Sequence, residues 1–400
     1  MKTKARRSRF PFIISFLIIC LLVIGSLIAV RVVRLIPPAI TGLHISGNQL
    51  VNGSNVAIIP HGVNRSGTEY MCVQGNGFFD GPSNAASVDA MASWHINTVR
   101  VPLNEDCWLG INGSPSEYSG PAYQKAIIDY VHLLNSKNII AILDLHWSAP
   151  GVTLATKQLA MPDADHSPAF WTSVATTFKG NSSVIFDLFN EPFPDTWDCW
   201  LQGSSAPLTA PCDKIDFAVA GMQTLVNTVR ATGANNVLIT SGLGYADYLK
   251  DWTENKPQDP DHNVMAAFHA YNFAQCSSVS CLQENIQPIL ATAPVIVAEL
   301  GENDCQQGYV DKTMDWLDKM HVGYLGWSWN VADCKKFPAL INSYNGTPTA
   351  FGAGLKARFS DLAFNPFNAT ALGYISGPMF ANITSSSSES LRKLFPGITW

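Results

Sequence analysis

Five short apolar runs in this chain of 400 residues close on polar side chains that can do chemistry. They read Val-Arg-Val-Pro at Arg100, Asp-Leu-His-Trp at His146, Leu-Phe-Asn-Glu-Pro at Asn190 and Glu191, Phe-His-Ala-Tyr at His269 and Tyr271, and Val-Ala-Glu at Glu299. Glu191 and Glu299 are of the type that transfers protons or attacks an electrophile, provided that one is held protonated and the other ionised. A nearby cation such as Arg100 favours a charged carboxylate. Glu105, Asp106 and Glu302 lie beyond the ends of these runs and are expected to be solvated. Asp144 is expected to be structural, inside the sheet or against a helix. A metal centre is not expected, because the histidines are few and poorly spaced for ligation and no cysteine pair has zinc-like spacing. No GxGxxG or P-loop follows any run, which argues against a doubly wound open sheet.

The runs alternate with helical patterns. Strands are expected at 57–64, 97–102, 139–146, 184–190, 236–241, 264–271, 294–299 and 323–329, after a small hairpin at 43–51. Helices are expected at 85–94, 123–136, 169–178, 213–231, 245–252, 282–290, 309–320 and 350–362. Apolar strands alternating with helices fit an α/β fold, a (β/α)8 TIM barrel, with a doubly wound open sheet as the alternative. A barrel gathers its reactive side chains at the C-terminal ends of its strands. Cys72, Cys107, Cys199, Cys212, Cys276, Cys281, Cys305 and Cys334 all follow strands, which places them in the loops of that same face. From this map the expected bridges are Cys72–Cys107, Cys199–Cys212, Cys276–Cys281 and Cys305–Cys334, each joining a loop to itself or to the next one round the ring.

Composition sets the compartment. Seven Lys and Arg fall in the first 34 residues, and without them 18 basic groups face 31 acidic ones, a charge of −13. Such an acidic body has no footprint for nucleic acid. Residues 11–30 form one uncharged apolar run preceded by five positive charges, the pattern of a signal anchor or transmembrane helix that exports the rest of the chain; a cleaved signal peptide is the alternative. An even number of cysteines in the body agrees with export, and Cys20 in the apolar run is expected to be a free thiol. Sequons begin at Asn52, Asn64, Asn112, Asn181, Asn345, Asn368 and Asn382. The expected organisation is a cytoplasmic basic tail at 1–10, an anchor at 11–36, a linker with the start of the hairpin at 37–50, a catalytic barrel at 51–365 and a tail at 366–400, whose closing segment 391–400 is apolar enough to pack back on the barrel.

The run Leu188-Phe189-Asn190-Glu191-Pro192, with Val297-Ala298-Glu299 after it, resembles family 5 glycoside hydrolases, the cellulase-type members of the Asn-Glu barrel clan. The resemblance extends over roughly residues 43–362. It implies retaining hydrolysis of a β-glycan, with Glu191 as acid/base and Glu299 as nucleophile about 5 Å apart. It implies that Asn190 binds the sugar 2-hydroxyl and that Arg100 and Tyr271 hold Glu299. His146 and His269 would line the cleavage point, and Trp327 would offer a flat face to a sugar ring. Trp329 is a rival for that role, since alternation along a strand points both side chains the same way. The implied substrate is β-1,4-glucan, although the family also contains mannanases, other glucanases and exo-acting enzymes. No cofactor is implied, and a monomer is expected. A barrel that keeps the cleft only to bind surface glycans is the competing reading. Trp108, Trp147, Trp197 and Trp200 could serve as sugar platforms or as packing.

Overall fold

The computed structural model describes residues 39–364. The basic tail, the anchor segment, Cys20, the sequons at Asn368 and Asn382, and the C-terminal tail lie outside the described residues. Among the described residues, no helix is long and apolar enough to cross a membrane.

Eight parallel strands close into a barrel, neighbours in sequence being neighbours in space. They are β1 (His61–Asn64), β2 (Thr98–Asn104), β3 (Ile140–Trp147), β4 (Val184–Asp187), β5 (Leu238–Ser241), β6 (Val264–Tyr271), β7 (Val295–Gly301) and β8 (Gly323–Gly326). The two-residue period of a strand divides each one between two environments. On β3, Ala141, Leu143 and Leu145 pack outward against the helical layer, while Ile140 and Ile142 belong to a separate interior cluster. Ile185, Ile239, Met265, Ala267, Ile296, Ala298 and Leu325 belong to that interior too, with Ile40, Leu43 and Leu50. These last three come from the hairpin His44–Ser46 and Gln49–Val51 and the residues leading into it, so the hairpin closes the apolar end of the barrel. Continuing the period along β3, Asp144 and His146 follow Ile142 on the inward side. The barrel is therefore oily at one end and polar at the other.

Most expected helices form: Ala85–Ala92, Pro121–Ser136, Ser167–Phe178, Val279–Ile286, Gly308–Met320 and Ala350–Phe364. Two expectations are corrected. The stretch 213–231 is helical only from Met222 to Ala231. Before it, Cys212 is tied to Cys199, and Val219–Ala220 pairs antiparallel with Gly203–Ser204, which commits the backbone to a ribbon. The expected helix at 245–252 is replaced by two short turns, Leu243–Ala246 and Trp252–Asn255. Gly244, Tyr245 and Ala246 all have left-handed backbones, with φ of 62°, 65° and 61°, which ends any right-handed helix there.

All four expected disulfides are present. Cys72–Cys107 joins the loops after β1 and β2, and Cys305–Cys334 joins those after β7 and β8. The other two close loops after β4 and β6. The chain has nine cysteines and these bridges use eight of them, so thiol titration of the unfolded, unreduced protein should find one reactive thiol and not nine. Replacing Cys72 and Cys107 by Ala should lower the free energy of unfolding by about 3–4 kcal/mol in a denaturant titration, the range for a loop of that length.

Candidate active site

At the polar mouth of the barrel, a cleft of about 590 Å³ is lined by Glu191, Glu299, His146, Asn190, His269, Tyr271 and Trp327. These are seven of the eight site residues expected from sequence. The eighth, Arg100, is fully buried, at mid-strand on β2.

Arg100 meets five groups. Its Nε donates to Asp187 at 2.8 Å, Nη1 to Glu299 at 2.8 Å and to Asn64 at 3.1 Å, and Nη2 to Asn190 at 2.9 Å, with Asp144 3.1 Å from Nη2. Burial works against the charge on Arg100, but Asp144, Asp187 and Glu299 outweigh it and hold the guanidinium protonated. Burial also pushes the carboxyls of Asp144 and Asp187 upward, with Arg100 pulling the other way. Asp144 is structural, as expected, and it also orients the site: its Oδ2 lies 2.6 Å from His146 Nδ1.

Glu299 sits where the ladder between β7 and β8 slips register, between Val297 and Leu300. Ala298 belongs to the barrel interior and Leu300 to the outer core, so the slip lets Glu299 also reach inward. Its second oxygen accepts from the Tyr271 hydroxyl at 2.5 Å. Burial pushes the Tyr271 phenol well above its ordinary value, which keeps it a donor. Gly301 makes room for that ring: a Cβ there would lie 2.5 Å from Tyr271 Cε1.

Glu191 follows β4 and keeps 18% of its side chain exposed at the cleft. Burial pushes its carboxyl upward, against weaker opposing effects of His146, Gln158 and Arg100. Its Oε1 shares a hydrogen bond with His269 Nδ1 at 2.8 Å. Burial lowers His269 to about 3 and His146 to about 4, so both rings are neutral near pH 7 and the contact with Glu191 is not an ion pair. One carboxylate oxygen from each of Glu191 and Glu299 and one nitrogen of His269 lie within 4.8 Å of one another. The pair thus combines a carboxyl that favours its proton with one held by a cation and a phenol. That arrangement can donate a proton and attack a carbon across a single bond.

The remaining expectations divide clearly. Trp327 stacks on His146 with ring centroids 5.5 Å apart and planes 12° apart. Its rival Trp329 is fully buried against Trp94, because the strand ends at Gly326 and alternation no longer relates the two residues. Trp108 and Trp200 are buried and are packing residues, with Trp197 edge-on against Trp200; Trp147 is half-buried, near Tyr70. Glu105, Asp106 and Glu302 were expected in solvent but are buried. Each accepts from backbone N–H groups instead: Glu105 from Ala149, Asp106 from Ala155, and Glu302 from Tyr309 and Val310 in the first turn of the helix Gly308–Met320. Asn64 is also buried and bonded, which removes its sequon from modification in the folded protein. The sequence reading missed Asn64, Asp187 and Gln158. Asp187 stood two residues after the inward-facing Ile185, so its period was legible; Gln158 lies in a loop and carried no signal.

A model of the "Cellulase (glycosyl hydrolase family 5)" family matches residues 61–333. A mannan endo-1,4-beta-mannosidase of Streptomyces lividans is 21% identical over 310 residues, 72% of this chain and 66% of that protein. Endoglucanase MaCel5A of Microbulbifer sp. is 25% identical over 323 residues, 78% of this chain and 55% of that protein. The chain thus spans less than two thirds of the length of these relatives. The crystal structure of beta-glucanase SdGluc5_26A from Saccharophagus degradans superposes with a TM-score of 0.60 at 18% identity, covering 82% of this chain and 96% of that one. A beta-mannanase from Thermomonospora fusca superposes with a TM-score of 0.58 at 19% identity, covering 83% and 96%.

The buried network makes a stability prediction. Arg100→Met strands Asp144 and Asp187 without their cation and should cost about 3–5 kcal/mol in urea unfolding, as expected for breaking a buried charge cluster. A cost below about 1 kcal/mol would show that the carboxyls do not depend on it.

Proposed function

The chain belongs to glycosyl hydrolase family 5, and on that premise we propose that it hydrolyses β-linked glycans with retention of configuration. One observation carries this reading: the oxygens of Glu191 and Glu299 approach within 4.8 Å across the cleft. Retaining enzymes hold their carboxyls about 5–5.5 Å apart, whereas inverting enzymes need about 6.5–9.5 Å to admit a water.

In the first step Glu299 attacks the anomeric carbon while Glu191 gives its proton to the leaving oxygen. In the second step Glu191, now a carboxylate, takes a proton from water, and that water displaces Glu299. Asn190, held by Arg100 and Gln158, binds the 2-hydroxyl of the sugar under attack. His146 and Trp327 border that sugar. β-1,4-Glucan is the proposed substrate. The mannanases among the relatives favour β-1,4-mannan as the second reading. A glycan panel with product analysis separates the two, and oligosaccharide ladders or single sugars separate endo from exo action.

We also infer an extracytoplasmic location, with residues 11–36 as a membrane anchor, 51–365 as the catalytic domain, and a monomeric body. The apolar run with its preceding charges supports the anchor, and four disulfides support an oxidising compartment.

Glu191→Gln and Glu299→Gln should each lower kcat on soluble β-glucan or mannan by about 10³-fold or more. Equal inactivity of wild type and both variants on a β-glycan panel that the wild type binds would favour a binding protein. The pH profile has a defined sign. The first step needs protonated Glu191, whose pKa is raised by burial, so kcat/KM should fall as pH rises through that raised value. In Glu191→Gln, residual activity on an aryl glycoside with a good leaving group should lose this alkaline limb.

A further inference from the structure

Asn52, Asn64, Asn112, Asn181 and Asn345 begin the sequons that fall among the described residues, and the fold treats their side-chain amides differently. A glycan on such an Asn is bulky, belongs on the surface, and takes the place of one of the two Nδ2 protons. The native structure must therefore expose the residue and leave its nitrogen free. Four sequons do not meet this condition. Asn64 is fully buried, with Nδ2 donating to Ala298 O at 2.9 Å. Asn52 is 3% exposed, and its Oδ1 accepts from Ser54 N–H and Val56 N–H, both at 3.0 Å. Asn112 is half-buried, and its Nδ2 donates to Asp106 Oδ1 at 3.0 Å and to Thr153 O at 3.3 Å. Asn181 is half-buried, with Nδ2 donating to Asn135 Oδ1 at 2.8 Å and Oδ1 accepting from Ser183 N–H at 3.1 Å.

Asn345 meets it. The residue is exposed in the turn of the hairpin Ile341–Ser343 and Thr347–Pro348, in the loop after β8. Its Oδ1 accepts from Thr347 N–H at 3.0 Å and from the Thr347 hydroxyl at 2.7 Å, and its Nδ2 donates to no described group. Substitution on the nitrogen leaves the carbonyl oxygen in place, so both bonds survive it. The residues on either side are fixed inward. The Tyr344 hydroxyl donates to Asp80 O at 2.8 Å, and its ring lies 5.0 Å from the Arg65 guanidinium. Trp94 Nε1 donates to Gly346 O at 3.1 Å, and Gly346 N–H closes the turn on Ser343 O at 3.0 Å. The turn is thus held from behind while Asn345 faces solvent. It lies outside the residues that line the cleft, so a glycan on it does not occupy the site.

We propose that Asn345 is an N-glycosylation site, and that among the described sequons it is the one at which the folded protein carries a glycan. The inference rests on the extracytoplasmic location inferred above, since these sequons are modified on exported segments. The co-reactant is an oligosaccharide joined to a polyprenyl diphosphate, presented by an oligosaccharyltransferase. Asn345 Nδ2 attacks the anomeric carbon of that oligosaccharide. The bond from this carbon to the diphosphate oxygen breaks, and its electron pair leaves with the diphosphate. One Nδ2 proton passes to a base on the transferase, and an N-glycosidic bond remains.

The test produces the full chain through the secretory route of a yeast. The protein is treated with peptide-N-glycosidase in heavy-oxygen water, which converts each glycosylated Asn to a labelled Asp; a control without the enzyme corrects for spontaneous deamidation at Asn345-Gly346. Peptide mass spectrometry should find the label at position 345 and at none of 52, 64, 112 and 181. Thr347→Ala should abolish the label at 345, and Thr347→Ser should retain it. Thiol titration of the same material in denaturant should find one reactive thiol, the mark of an exported and oxidised body. With one reactive thiol, an unlabelled Asn345 or a label on Asn52, Asn64, Asn112 or Asn181 overturns the proposal. Nine reactive thiols with no label at any sequon overturn the export reading, and the proposal falls with it.

Discussion

A guanidinium sealed inside the barrel organises everything at its mouth. Arg100 is fully buried and draws together groups from β1, β3, β4 and β7 as well as Asn190 just after β4. A buried cation is costly unless it is paired and fully hydrogen-bonded, and a buried carboxylate carries the same requirement. The two needs are met only when the strands stand in this register, with Asp144 and Asp187 on neighbouring strands at the right height. The network therefore fixes Glu299 and Asn190 in position before any substrate arrives. Such preorganisation lets a site act on a transition state without rearranging.

The same construction sets the two glutamates apart chemically. Glu299 is held from one side by Arg100 and from the other by Tyr271. Glu191 shares a hydrogen bond with neutral His269 and is pushed by burial toward its protonated form. Two identical side chains thus acquire opposite tasks from their surroundings. Farther out, the loops are stiffened by disulfides and by buried carboxylates that accept backbone N–H groups, such as Glu302 on Tyr309 and Val310. Aromatic rings that line the cleft then keep their places even where, as at Tyr245, the backbone is left-handed.

Much of this was legible in the chain because it follows from period. Apolar strands separated by helices specify the barrel, and a polar residue at the end of an apolar run specifies its reactive mouth. Glu191, Glu299, His146, His269 and Tyr271 all emerged that way. Asp187 obeyed the same period and was overlooked because the run was read for its last residues, Asn190 and Glu191. Other features depend on contacts between segments distant in the chain. Nothing local distinguishes buried Glu105, Asp106 and Glu302 from solvated loop acids, since the N–H groups they serve come from other loops or from the turn beyond them. Helix 245–252 failed because consecutive left-handed residues at Gly244, Tyr245 and Ala246 are stabilised by the neighbouring loop, which no propensity scale includes. Trp329 and Trp327 were separated only by the way the chain leaves β8.

The central claim is that Glu299 becomes covalently joined to the sugar. A 2-deoxy-2-fluoro glycoside of the preferred substrate, with a good leaving group, slows both steps through the electron-withdrawing fluorine but allows the ester to accumulate. Mass spectrometry of the treated protein should then show one added glycosyl group, and the peptide carrying it should contain Glu299. Modification at Glu191 instead, or hydrolysis that proceeds with inverted configuration and leaves no adduct, would contradict the account.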